Sequence, residues 1–554
     1  MNVKDFNLKN NWFLLLIPLS FILFLVFLFA VFRGGTTAVK GFWTSVFAFA
    51  ISISVYLYQK NDDKTLLKKI IIYGSSIFIF VIAVYSISFN QRLFMSPKIK
   101  TEPFHTWNVY HYYIGAKYFN EIGYFDIYEQ TLAADWESKN VFKNVNTIRN
   151  MRTYKYQGVF KNTIRRNGRF TDERWDEFIS DINFFTDILK HDIIWQNILL
   201  DRGYNPTPFW NTIGSFLANL LDIKVQWQQI LFINLDNILL IAAFVIAVWA
   251  FGPLAASIMF FLLVVSQLNF VRMFDGFLKY DFFSIMLIAL ACFHKKKYIT
   301  SAICWSFTIM VRVFPMIFIF SFFIIIAINW YKEKKIAKDM RKFIITGVVT
   351  CFLFFWLGCI NSWGLNSWFD FVEKMKIHSH KHTYGQRRVG LKHFFTHKIG
   401  SDVYENSSMR EITLELQKPY YYLSALVIVI LFAVSIYKKR KLDAFIWGFP
   451  LFFILIVSSR YYWSIFVFLI LLQDTKEYKP FSLMGTLVAF WLVTGTYLYE
   501  VIFGSSYGYE FFLYFNLQFY ILFLILLGSD IYPDFMKAWN YLKSKLPLDR
   551  LNIS

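Results

Sequence analysis

From Trp12 to Phe32 the chain runs without a single charged side chain. A helix rises about 1.5 Å per residue and the hydrocarbon core of a bilayer is about 30 Å thick, so a run of this length crosses it. Comparable apolar runs follow at 41–58, 70–90, 229–251, 253–269, 281–294, 298–311, 313–330, 343–361, 420–437, 443–458, 460–473, 481–501 and 511–528. The shorter ones admit pairing into single broken helices, which brackets the total at about 11–14 spans. The expected fold is an all-α polytopic membrane protein. The first run lacks a small-residue cleavage site and is long, so it reads as a retained signal anchor.

Charge sets the expected orientation. The formal net charge is +20, which alone would suggest nucleic acid. The cations, however, gather at span ends, at Lys60–Lys69, Lys295–Lys297, Lys332–Lys342 and Lys438–Lys441. That is the pattern of cytoplasmic loops, and no basic patch falls in a nucleic-acid-binding module. Placing the amino terminus in the cytoplasm puts every cluster inside. Two long polar segments, 91–228 and 362–419, then face outward.

The resulting division is 1–90 for the first spans, 91–228 for an extracytoplasmic cap with amphipathic helices, and 229–361 for central spans. A second outer loop (362–419), the last spans (420–528) and a cytoplasmic tail (529–554) follow. In the cap, Trp175, Phe178, Ile182, Phe185 and Ile188 recur at helical spacing within 173–200. After a basic loop at 139–169 and that helix, Asn205 and Pro206 are placed to cap and open a short apolar helix over 206–221. Cys292, Cys304, Cys351 and Cys359 all lie in apolar runs, which supports neither disulfides nor a zinc site. No Walker loop, Gly-x-Ser-x-Gly elbow or His-Glu-x-x-His helix is present.

Four groups of residues carry candidate chemistry. Residues 104–128 are aromatic yet hold His105, Asn108, His111, Tyr112, Lys117, Glu121 and Asp126. On a helix, His105, Asn108 and His111 or Tyr112 share a face, where a hydroxyl-bearing acceptor could bind and lose its proton. The plainer reading is an interfacial helix whose polar residues face water. Second, Arg272, Asp275, Lys279 and Asp281 lie between two spans. They either pair with one another or set cations beside a lipid phosphate. Third, Arg312 in Val-Arg-Val-Phe-Pro stands about 22 Å up a helix from Lys297, inside the membrane, where an arginine is usually paired or functional. Snorkelling to the interface is the alternative. Fourth, His378, His382, Arg387 and Arg388 form a cationic outer loop. It reads as a clamp over an anionic headgroup, as a solvated loop, or, more weakly, as a divalent-metal site at His378 and His382.

Taken in order, these features resemble the GT-C class of polytopic glycosyltransferases. The nearest likeness is to the branch holding the alpha-1,2-mannosyltransferases of phosphatidylinositol mannoside synthesis. The residues that carry it are Asn108-Val-Tyr-His-Tyr-Tyr-Ile-Gly-Ala with Gly123 and Tyr128, then Arg312-Val-Phe-Pro315, then the loop from Trp368 to Leu391. The resemblance implies a GT-C-like helix bundle under an extracytoplasmic cap, with a polyprenyl-phosphate sugar donor. It also implies a lipid or glycan acceptor, no obligate cofactor, and residence in the bacterial cytoplasmic membrane. The donor phosphate would be held by Arg312, with Arg272, Lys279, Arg387 or Arg388; Tyr112, Lys117, Asp275, Asp281, His378 and His382 would line the substrate. That branch carries an acidic base where Asn108 aligns. An amide cannot remove a proton, so the role passes to Glu102, Glu121, Asp126 or a histidine. The competing readings are a flippase for a lipid-linked saccharide, a polymerase or ligase with a diphosphate-linked donor, and a non-catalytic scaffold.

Overall fold

The computed structural model describes residues 46, 70, 72–81, 104–160, 164–190, 192–266, 276–384, 388–397, 407–436, 441–472, 483–503 and 508–545. The expected spans 12–32 and 41–58, the candidates Glu102, Arg272, Asp275 and Arg387, and the His382 side chain lie outside the described residues.

The described chain is predominantly helical. After α1 (Ile72–Val81) the cap begins with α2 (Thr106–Val109), a π-helical turn (Tyr110–Ile114), α3 (Gly115–Lys117), α4 (Phe119–Ile122) and α5 (Ile127–Glu137). A hairpin of β1 (Thr147–Arg149) and β2 (Tyr156–Gly158) interrupts the basic loop, pairing Ile148 with Gln157 in antiparallel register. The cap closes with α6 (Asp172–Ile188), α7 (Asp192–Leu199), α8 (Pro208–Leu220) and α9 (Gln226–Ile233). The helix expected over 206–221 starts two residues later than the Asn205–Pro206 reading. Thr207 is its N-cap, accepting the Trp210 N–H at 3.1 Å, and Pro208 holds the first position. Both residue pairs offer a capping side chain followed by proline; Asn205 instead donates to Gly203 O within the preceding turn.

The bundle comprises α10 (Leu235–Phe251), α11 (Pro253–Val265), α12 (Asp281–His294), α13 (Tyr298–Arg312), α14 (Met316–Glu333) and α15 (Lys338–Leu357). It continues through α16 (Asn366–Thr383), β3 (Arg388–Val389), a 3-10 helix (Leu391–Thr396), α17 (Ser407–Ile436) and α18 (Lys441–Leu455). It ends with β4 (Ser458–Ser459), a second 3-10 helix (Arg460–Leu471), α19 (Leu483–Phe503) and α20 (Tyr509–Lys545). Among the described residues α14, α15, α17 and α20 are long and apolar enough to cross a membrane, with α9 and α10, bent by 44°, together a fifth. The last helix runs on through 529–545, which the sequence suggested as a tail.

Two hydrophobic cores divide the molecule. The bundle core is built from aromatic stacks such as Phe445 on Phe322, with ring centres 4.2 Å apart. The cap core gathers Tyr110, Tyr113, Phe178, Phe185, Trp195, Tyr204 and Trp210. The cores meet along a seam: Leu278 and Val311 belong to the cap core, whereas Tyr280 and Phe314 belong to the bundle core.

Candidate active site at the seam between the two cores

Arg312 ends α13 on this seam. Val313 follows with φ 57°, a left-handed conformation costly for a β-branched residue, and Pro315 then opens α14. The helix therefore breaks directly after the arginine. Arg312 Nη2 donates to Leu278 O at 2.9 Å and approaches Asp281 Oδ1 at 3.3 Å. Its Nε is buried and makes no hydrogen bond. Asp281 also accepts from Trp210 Nε1 at 2.9 Å and from the Phe282 N–H at 2.8 Å. The ion pair thus joins two groups that the sequence treated separately. A buried carboxylate supplies the partner that a buried arginine requires.

The loop 276–281 is itself held by a residue the sequence reading passed over. Asp236, at the start of α10, accepts the N–H groups of Lys279 at 2.5 Å and Tyr280 at 3.0 Å. An aspartate in the first turn of an otherwise apolar helix was the available signal. Lys279 Nζ lies 5.3 Å from the Tyr461 ring centre. Tyr112, Tyr461 and Tyr462 act electrostatically on the Arg312 guanidinium.

The aromatic segment reaches the same place. Asn108 Oδ1 accepts the Phe277 N–H at 3.0 Å, and a Cβ on Gly276 would stand 2.6 Å from that oxygen. Glycine permits this approach. Tyr112, one turn on, sets its ring edge-on to Trp210 at 5.2 Å, and the Arg312 guanidinium lies 5.9 Å from the Trp210 ring. Burial pushes the Tyr112 hydroxyl up to about 12; the Arg312 charge opposes the rise, and Tyr462, Asp281 and Asp201 add to it. The π turn over 110–114 inserts an extra residue here, a distortion common at functional sites.

His105, Asn108 and His111 do not share one open face. His105 caps α2 through Nδ1, which accepts the Asn108 N–H at 3.3 Å. His111 is buried in a closed relay. Its Nδ1 donates to Trp107 O and its Nε2 accepts from Tyr128 Oη, both at 2.8 Å, while Tyr128 Oη accepts the Gly203 N–H at 3.0 Å. Burial depresses its basicity, and the Asp201 charge and the Trp107 carbonyl only partly restore it. With both nitrogens engaged, His111 is a structural histidine.

The remaining cap candidates are engaged inside the cap. Lys117 binds Asp181 at 2.7 Å and Glu177 at 2.8 Å. Glu121 pairs with Arg174 at 2.9 Å, and Asp126 lies 3.5 Å from Arg169. Burial raises the Asp126 carboxyl, opposed by Arg169 and Arg152. Asp201, which no motif flagged, is a half-buried carboxylate whose charge acts on the Tyr112 hydroxyl. Its Oδ2 accepts the Trp107 indole N–H at 2.7 Å, and its charge acts on the neighbouring Arg202.

The second loop sits against the cap. Buried Lys374 on α16 donates to Tyr124 O at 2.7 Å and Tyr204 O at 2.5 Å. One turn on, His378 Nδ1 meets Tyr154 Oη at 3.1 Å. Burial holds His378 down at about 3, with Arg202, Lys374 and Arg388 adding to the effect. Arg388 is drawn toward the tyrosine pair: β3 pairs Arg388 with Ser459, directly before the 3-10 helix that carries Tyr461 and Tyr462. No group of three or more His, Cys, Asp or Glu side chains suited to a metal occurs among the described residues.

No family model matches the chain, and neither a curated protein nor a solved structure does.

Proposed function

We propose that this protein is a membrane glycosyltransferase of the GT-C type, transferring a sugar from a polyprenyl-phosphate donor to a lipid or glycan acceptor. The single observation that carries the reading is the junction of Arg312, Trp210 and Tyr112. There a membrane-level cation meets the aromatic cap segment, as a donor phosphate and an acceptor hydroxyl would require. On this reading the site faces outward from the bacterial cytoplasmic membrane.

In the reaction, the acceptor oxygen bonds to the anomeric carbon as the bond to the phosphate oxygen breaks, and the electron pair leaves with the phosphate. Charge grows on that phosphate in the transition state. Arg312 is fixed by Asp281 and Leu278 O, so its charge stabilises the leaving group without reorganising, and Lys279, one residue beyond Leu278 on the same loop, is the second cation of the proposed site. Asp201 receives the acceptor proton, a role the engaged Glu121 and His111 cannot fill. Trp107 orients its carboxylate. The aromatic walls Tyr112, Trp210 and Tyr461 suit the apolar faces of a sugar ring.

The test uses membranes containing the full chain, radiolabelled polyprenyl-phosphate hexoses and pentoses, and a lipid-extract acceptor. Arg312→Ala and Asp201→Asn are expected to cut transfer by about 10²-fold or more while the protein stays folded by size exclusion. Wild-type turnover in Arg312→Ala would remove the phosphate-clamp reading. Transfer only from diphosphate-linked oligosaccharides would favour a polymerase or ligase instead. Movement of an intact lipid-linked saccharide between leaflets without transfer would favour a flippase.

A further inference from the structure

We propose that His393 and Arg410, set against the Tyr509 ring, form with neighbouring Arg388 a second anion site for a phosphate or carboxylate group. His393 and Arg410 lie outside the Arg312 cluster, and Arg388 stands between the two sites.

The site begins with an unsatisfied histidine. His393, in the 3-10 helix Leu391–Thr396, is fully buried, and neither of its ring nitrogens makes a hydrogen bond. A neutral imidazole carries one N–H donor and one acceptor, and buried polar groups of this kind are nearly always partnered. Its ring centre lies 4.8 Å from that of Tyr509, at the start of α20. The Arg410 guanidinium, from α17, lies 5.8 Å from the same ring, with its Nε held by Tyr384 O at 2.8 Å. Tyr509 is fixed in turn by Thr396 Oγ1 against its hydroxyl at 3.0 Å. The His393 ring and the Arg410 guanidinium therefore converge on one anchored aromatic.

Arg388 supplies the third member. Its backbone is pinned from both sides, by pairing with Ser459 and by Asn516, whose Nδ2 donates to Arg388 O at 3.1 Å and whose Oδ1 accepts the Gly390 N–H at 2.8 Å. Gly390 sits at φ 151° against Ile456 O and Val457 Cα, which a side chain would strike at 2.7 and 3.0 Å. This close fit fixes the exit angle of the 3-10 helix and hence the place of His393. Burial, then the charges of Arg388, Arg410 and His397, hold His393 at about 3, so it stays neutral at physiological pH.

The sign of the ligand follows from that field. Two guanidiniums acting on one buried ring repel a metal cation and attract an anion. An oxyanion can accept the His393 N–H and guanidinium N–H groups together, the geometry for which arginine is suited. Negative groups also lie nearby: Glu510 acts on His397, and Glu411, next to Arg410 in the chain, acts on Tyr384. The bound group is either a free anion or the headgroup of a lipid.

The experiment uses the purified full chain in phosphatidylcholine nanodiscs and equilibrium dialysis of radiolabelled inorganic phosphate. Saturable binding is expected in the wild type. His393→Phe, which keeps the ring stack but removes both nitrogens, and Arg410→Gln should each weaken it at least tenfold. Arg388→Lys should retain more binding than Arg388→Gln. Arg312→Ala should keep the binding component that His393→Phe loses, and His393→Phe should keep transfer activity, so loss of the transfer reaction and loss of this site are separable. Displacement of the phosphate by glucuronate extends the site to carboxylates. Displacement by phosphatidate in the disc assigns a lipid source, and its failure assigns a soluble one. Unsaturable uptake, or equal affinity in wild type and His393→Phe with matching melting temperatures, would overturn the proposal. If His393→Phe does not fold, His393→Asn decides: it keeps a donor and an acceptor and should retain binding where Arg410→Gln does not.

Discussion

The cap and the bundle solve burial in opposite ways. In the cap core charge is taken inside and paired. Asp181, fully buried, accepts from Lys117 and Tyr118 through one oxygen and from Lys224 through the other, while Arg174 bridges Glu121 and Glu177. In the bundle core aromatic rings do the filling. Phe445 stacks on Phe322 at 4.2 Å and on Trp305 at 4.9 Å. The Trp305 and Trp463 indole nitrogens there have no hydrogen-bond partner. A core standing in lipid gains little from transfer of apolar surface, so ring packing dominates. A core standing in water must place each buried charge against another. The difference indicates how to read polar residues. In the cap they are first of all structural, and only at the seam, where one arginine enters from the bundle, do the two regimes share a group.

The largest expected break of this contrast is Asp181→Ala. It leaves Lys117 and Lys224 beside each other without their common carboxylate. Removing one member of a buried pair typically costs about 3–5 kcal/mol. Thermal unfolding followed by tryptophan fluorescence, with limited proteolysis of the 139–169 loop, should show the cap loosening while the helical signal of the bundle persists. A single concerted melt at the wild-type temperature would mean that the cap does not depend on its charges.

The bundle was largely legible in the sequence, and the cap was not. Apolar runs at 281–294 and 298–311 became α12 and α13 almost residue for residue, because continuous apolarity bounded by the Lys295–Lys297 break marks a buried helix directly. In the cap, the 173–200 periodicity falls on α6 as far as Ile188, with α7 a separate helix, and the β1–β2 hairpin was missed, since its strands are three residues each and lack an apolar alternation. The site divides in the same manner. Arg312 stood out because a cation in an apolar run is conspicuous. The partners of His111, Lys117 and Glu121 lie 17 to 64 residues away and only folding reveals them. Asp201 and Asp236 looked ordinary for the same reason.

An intermediate effect is expected at Lys374, the ammonium that ties α16 to both halves of the cap. Burial pushes it down to about 7. The folded state then releases its proton near pH 7, whereas the unfolded chain keeps it to about 10.4. Between these values the unfolded state binds the extra proton, so stability rises with pH, by about 1.4 kcal/mol per unit at most. Lys374→Met should lose this slope. The measurement is the melting temperature of both proteins from pH 6 to 10. A wild-type curve parallel to that of the variant would mean that the Tyr124 and Tyr204 carbonyls keep the proton in place.

The smallest effect tests the seam itself. Thr207 Oγ1 caps α8 by accepting the Trp210 N–H and also donates to Met310 O at 2.6 Å, two residues before Arg312. This hydroxyl therefore fastens the helix that carries Trp210 to the helix that carries Arg312. Thr207→Ala removes both bonds, and loss of an N-cap alone costs about 1 kcal/mol. Stability should fall by only that order, because both cores remain packed. Transfer activity should fall further than stability does, since Trp210 and Arg312 are no longer fixed to each other. Thr207→Ser restores the hydroxyl and should restore both. If the alanine variant lost stability without any change in transfer, the two cores would be meeting at a packing boundary and not at a working site.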